Sequence, residues 1–114
     1  GSIETSGKLR STVSIHSSEN PHLDIFLDTG EILVTYQVPL DSLKLFDSGS
    51  SFLCRKGADH RKIYLDFSGT LSLRRGEVRI IWQGEYLNLE KTFFEEMFLQ
   101  RKDNVLILSL KADT

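Results

Sequence analysis

The sequence predicts a mostly β protein: a small closed or partly closed barrel of about eight to nine strands with short helical segments. Three observations carry this. Apolar residues recur in twos far more often than in threes and fours, as in Leu23, Ile25 and Leu27, which is the period of a strand with one buried face. Turn chemistry punctuates the alternating runs at short intervals. A chain of 114 residues, 39% hydrophobic and 26% charged, is the size of one core.

In order along the chain, the alternating segments are residues 11–15, 22–27, 31–38, 51–55, 60–67, 78–83, 85–90, 97–101 and 105–110. Asn20-Pro21, Asp28-Thr29-Gly30, Ser48-Gly49-Ser50, Arg75-Gly76, Gln83-Gly84 and Asp103-Asn104 separate them, each supplying residues that favour tight turns. Helical turns are expected only at residues 40–46, after Pro39, and at residues 89–95. Gly1-Ser2 reads as a tag remnant; residues 1–10 are expected to be a flexible segment ahead of a single domain over residues 11–114.

Charge and cysteine content exclude some functions. A formal net charge of −2 is not the footprint of a general nucleic-acid binder, so any nucleic acid must be gripped locally. One cysteine, Cys54, rules out an internal disulfide framework. No apolar run approaches the roughly 20 residues of a membrane helix, and the expected setting is cytoplasmic, without a membrane partner, as a monomer.

The histidines hold the main functional signal. Strand parity puts His22 and Asp24 on one face and Leu23, Ile25 and Leu27 on the other. In residues 12–16, Val13 and Ile15 share a face and His16 falls on the polar side. Residues 17–21 have hairpin length, so His16 and His22 are expected at the ends of adjacent strands, within reach of one ion. Two imidazoles and a carboxylate suit Mn²⁺, Zn²⁺ or Fe²⁺ better than Ca²⁺, which prefers oxygen ligands. Read as a strand, residues 60–67 place His60, Lys62 and Tyr64 together.

Other motifs have simpler readings. Asp28-Thr29-Gly30 matches the aspartic-protease tripeptide but sits as hairpin punctuation with no clear partner motif. Cys54 lies in an apolar strand without an adjacent base, the setting of a structural thiol. Trp82, Phe93, Phe94, Met97 and Phe98 read as packing residues.

Taken in order, His16, five residues, His22-Leu-Asp24, Val38-Pro39, Asp59-His60 with Tyr64 four residues on, Phe67-Ser-Gly69-Thr70, and Val78-Arg-Ile-Ile-Trp82-Gln-Gly84 resemble the 3′-phosphoesterase domain of bacterial DNA ligase D and its stand-alone relatives. The likeness runs from about residue 11 to residue 86. It implies a small β-barrel with helical pieces and a Mn²⁺-dependent hydrolase, or one using another divalent transition metal. Such an enzyme removes a 3′-terminal phosphate or ribonucleoside from DNA ends during repair by end joining. Implied partners are the 3′ end of DNA or of a DNA/RNA primer-template, a small phosphate ester, and a repair ligase or polymerase. By the same resemblance His16, His22 and Asp24 hold the metal, while His60 and Tyr64 contact the scissile phosphate with His60 as general acid.

The chain departs from the family at its cations. Phe26 stands where the family has an arginine, Leu40 where it has a lysine, Ser14 where it has a glutamine, and Phe52 near another expected arginine. Ser72-Leu-Arg-Arg-Gly76 replaces a glycine-rich loop. Lys62 is the first substitute expected, a catalytic cation beside His60 and Tyr64, with Arg55, Lys56 and Arg61 nearby in sequence. The competing expectation is a barrel of this descent that binds metal, nucleic acid or protein without catalysis.

Overall fold

Three antiparallel strands begin the described chain: β1 (Leu9–Ser17), β2 (His22–Asp28) and β3 (Leu33–Pro39). The computed structural model describes residues 9–71 and 75–112. A 3₁₀ turn (Leu40–Ser42) leads into helix α1 (Leu43–Ser48), followed by β4 (Phe52–Lys56), a second 3₁₀ turn (Lys62–Leu65), β5 (Gly69–Thr70), β6 (Glu77–Asn88), β7 (Glu96–Lys102) and β8 (Val105–Ser109).

Seven strands close into a mixed barrel in the order β1-β2-β3-β4-β7-β8-β6, with β6 returning to β1 and β5 outside on β6. The β6–β8 pair is parallel. Closure leaves no continuous open edge among the seven, which removes the usual template for strand-to-strand aggregation. The fold is thus the expected small β-barrel.

Alternation decides which side chains fill it. Val13, Leu23, Ile25, Tyr36, Met97, Leu99, Leu106 and Leu108 point inward and are fully buried. Each such aliphatic side chain contributes about 1.5–3 kcal/mol relative to exposure, far more than an exposed ion pair such as Arg10–Asp66. Phe46 of α1 closes one end against Trp82, with ring centroids 5.8 Å apart. Arg101 lies 5.4 Å from the Phe46 ring and donates to the carbonyls of Phe46 and Asp47, satisfying acceptors at the helix C-terminus. Cys54 is buried, and desolvation pushes its thiol well above the ordinary range. It is a packing residue.

Several expectations need correction. Residues 60–67 are not a strand: His60 makes one isolated bridge to Leu33, and the chain then turns through Lys62–Leu65. β2 is already paired on both sides, so this segment folds over the outer face of the sheet. There Leu65 packs with Phe26 and Leu33 in a second apolar cluster. Polar contacts fasten it, with Thr12 Oγ1 and Gln83 Nε2 donating to the Leu65 carbonyl at 2.6 and 3.0 Å. The parity that set Lys62 beside His60 and Tyr64 therefore fails.

The segments 78–83 and 85–90 belong to one strand, β6, which ends at Asn88. Gly84 is no turn. A Cβ there would overlap the Asn104 carbonyl and the Trp82 ring, so glycine permits a close backbone approach. Residues 89–95 form no helix, because the Asn88 side chain accepts from Glu90 N–H and donates to the Thr92 carbonyl, closing a turn. The expected helical stretch at 40–46 is present as the 3₁₀ turn and α1. β1 starts at Leu9, inside the segment expected to be flexible; residues 1–8 of that segment and Ser72, Leu73 and Arg74 of the replaced loop lie outside the described residues. No helix among the described residues is long and apolar enough to cross a membrane.

Candidate metal centre

The outer face of β1–β2–β3 carries the polar residues that alternation excludes from the barrel. His16 and His22 are direct cross-strand partners, and Ser14, Asp24 and Gln37 form the adjoining row. Opposed side chains in such rows stand roughly 5 Å apart at Cβ. His16, His22 and Asp24 accordingly bring ligand atoms within 4.8 Å of one another, in the arrangement that strand parity predicted.

The hydrogen bonds around this group determine where its protons lie. His16 Nε2 is 2.7 Å from the Arg75 carbonyl and His22 Nδ1 is 2.9 Å from the Asn20 carbonyl. Carbonyls only accept, so both ring nitrogens must donate. In the neutral imidazoles the remaining lone pairs sit on His16 Nδ1 and His22 Nε2, which face the Asp24 carboxylate at 3.6 and 3.1 Å.

Asp24 is buried, and Gln37 Nε2 donates to its Oδ1 at 3.1 Å. The short His22–Asp24 separation is not an aligned hydrogen bond, and buried Nε2 has no hydrogen-bond partner among the described residues. With both rings neutral, the two lone pairs and the carboxylate would converge without a proton between them and repel one another; a divalent cation reverses the sign of that interaction. The donor set fits a borderline transition metal. Backbone carbonyls that orient the two rings supply the outer support such a centre requires.

Gly76 makes one of those supports possible. Its φ is +91°, and a Cβ would overlap the Ser17 carbonyl, so glycine lets the Arg75–Gly76 backbone press against the end of β1 and reach His16. Sequence reading missed Gln37 and both carbonyls. Pairing β2 with β3 across the Asp28-Thr29-Gly30 turn could have placed Gln37 opposite Asp24. We expect Gln37→Leu to weaken Zn²⁺ affinity by about 10- to 100-fold, measured by competition with a chelating dye; unchanged affinity would remove Gln37 from the centre.

His60 and Tyr64 lie on the same outer face, further along β2. His60 sits 5.1 Å from the Phe26 ring and 5.6 Å from the Tyr64 ring, and Tyr64 stacks on Phe26 at 6.3 Å. Phe26 is two residues beyond Asp24, about 7 Å along the strand. His60 Nδ1 is 2.9 Å from both the Ala58 carbonyl and Thr35 Oγ1. Because a carbonyl only accepts, Nδ1 carries a proton and donates to Ala58.

Phe26 explains one departure in physical terms. At 1% exposure, it supports the His60 and Tyr64 rings and leaves no room for a solvated guanidinium. Lys62 is elsewhere. Its ammonium lies 3.4 Å from Asp28 Oδ2 and 3.5 Å from the Gly30 carbonyl, at the opposite end of β2 from His22.

No protein-family model matches the chain, and no curated protein matches its sequence.

Proposed function

We propose that this barrel is a metal-dependent phosphoesterase acting on 3′-terminal phosphate or ribonucleoside at DNA ends, similar to the 3′-phosphoesterase domain of bacterial DNA ligase D. One observation carries the reading. Two imidazoles whose outer nitrogens are committed to carbonyls turn their remaining lone pairs toward a buried carboxylate, with His60 and Tyr64 on the same face.

His16, His22 and Asp24 would hold the ion, with Mn²⁺ the metal the family resemblance implies. When bound, such an ion offsets charge on phosphoryl oxygens and makes water more acidic. Protonated His60 donates from Nε2 to the departing oxygen, while its Nδ1–H keeps the ring fixed against Ala58 and Thr35. The Tyr64 hydroxyl binds a phosphoryl oxygen, with its ring positioned by Phe26 and Phe67. Lys62 has no role in this reading because Asp28 holds it at the far end of β2.

The second reading, a metal-binding barrel that joins a repair complex without catalysis, draws on the apolar Phe26, Leu40 and Phe52 at the family's cationic positions. A Mn²⁺-dependent assay on a primer-template ending in a 3′ ribonucleotide or 3′ phosphate separates the two, with His60→Ala alongside. Trimming that requires both Mn²⁺ and His60, falling at least about 100-fold in the variant, is the expected result. No trimming by protein that binds the metal would favour the non-catalytic reading.

A further inference from the structure

A second row of contacts leads away from the metal centre. Gln37, which orients Asp24, is the cross-strand partner of Arg55 on β4, and Arg55 is the partner of Glu96 on β7. Ser14, Asp24, Gln37, Arg55 and Glu96 thus run across five strands on one outer face. β3 and β4 pair only through Tyr36↔Lys56 and Gln37↔Arg55, then part where Pro39 and α1 intervene. Beside this divergence lies a cleft of about 540 Å³. His22 lines one part of it, Arg55 and Lys56 another, and Pro21 and Pro39 add apolar surface.

We propose that this cleft is a mononucleotide-binding subsite, with Arg55 as its phosphate-binding cation. The proposal rests on the phosphoesterase reading and adds the ligand's seat. The cleft's volume is in the range of small-molecule sites, and its mixture of apolar surface and a few polar groups is the usual composition of one. Pro21 and Pro39 accept the base and sugar; the guanidinium offers a paired-donor fork to phosphate.

Arg55 is already charge-paired, but weakly. Its Nη2 lies 2.9 Å from Glu96 Oε2, with side chains 77% and 49% exposed. Such exposed pairs are screened by water and readily exchanged, so phosphate can take the guanidinium from Glu96. Lys56 lines the same cleft and makes no ion pair among the described residues. Arg55 and Lys56 thus place positive charge beside the metal centre at positions other than the three apolar replacements.

The test is calorimetric titration of adenosine 3′-monophosphate into the full chain, with and without Zn²⁺, comparing wild type, Arg55→Ala and Glu96→Gln. A 3′-phosphorylated duplex serves as a parallel ligand, distinguishing a free nucleotide from a strand end. The expected result is binding that weakens about tenfold or more in Arg55→Ala and tightens by up to about fivefold in Glu96→Gln, with Zn²⁺ affinity unchanged in both. A residue that only stabilised the barrel would not produce these opposite directions.

Tighter binding of the duplex would assign the cleft to strand ends, and equal or tighter binding of the nucleotide would assign it to free nucleotides. Equal affinities across the three proteins, or no binding of either ligand by wild type, would overturn the subsite; metal-dependent trimming could still hold in that case. Arg55-dependent binding by a protein that takes up neither Zn²⁺ nor Mn²⁺ would instead uphold the subsite and remove the phosphoesterase reading.

Discussion

His22→Ala should abolish stoichiometric metal uptake while leaving the barrel folded. His22 supplies one of the three candidate ligand atoms found together among the described residues, and its ring is partly exposed at the start of β2. Its loss leaves one imidazole and one carboxylate, so affinity should fall by more than the roughly 10- to 100-fold typical of disturbing a supporting residue. Stability gives an independent readout. Metal present at 100 times its dissociation constant stabilises a folded protein by about 2.7 kcal/mol, so Zn²⁺ should raise the urea midpoint of wild type and leave that of the variant unchanged. Without metal the unfolding free energies of the two should agree within about 1 kcal/mol, since no core side chain is lost. Zn²⁺ uptake by His22→Ala at wild-type stoichiometry would contradict the ligand assignment.

Phe26→Ala should be the most destabilising change on the outer face, costing about 3–5 kcal/mol. Its ring is buried between the sheet and the segment carrying His60, Tyr64 and Leu65. Truncation opens a cavity beneath that segment and removes two aromatic contacts. Metal affinity should persist in the folded fraction, because the backbone of β2 and the Gln37–Asp24 bond remain. His60-dependent turnover should be lost. Placing an arginine there through Phe26→Arg, as in the phosphoesterase domains the sequence resembles, should not rescue it: a guanidinium would replace a side chain 1% exposed, and an unpaired buried charge costs more than the cavity. Equilibrium urea unfolding checks both variants; a loss below about 1 kcal/mol for Phe26→Ala would mean that the second cluster does not hold the segment.

The clustering of His16, His22 and Asp24 was legible because it depends on strand parity. Leu23, Ile25 and Leu27 identify the buried face of β2, and that alone fixes His22 and Asp24 on the other; the short connection then sets His16 opposite His22. Parity fails where apolar alternation has another cause. Ile63 and Leu65 imitate a strand, but Leu65 is buried against Phe26 and Leu33 by a 3₁₀ turn, while Ile63 stays exposed. Gly84 looks like punctuation because sequence cannot reveal the Asn104 carbonyl that approaches it. The carbonyls of Asn20 and Arg75 were illegible for a different reason: every residue has a carbonyl, and only the fold says which one meets an imidazole. The Asp24–Gln37–Arg55–Glu96 row likewise requires the register of four strands, including β4 and β7, which are distant in sequence.

Convergence of His16, His22 and Asp24 on one cation is the central claim, and paramagnetic relaxation tests it most directly. Substoichiometric Mn²⁺ added to ¹⁵N-labelled protein should broaden amide signals around Ser14 to His16, His22 to Asp24 and Gln37 before any others. No selective broadening, or broadening centred on another group such as Glu95 and Glu96, would contradict the metal centre and the phosphoesterase reading built on it.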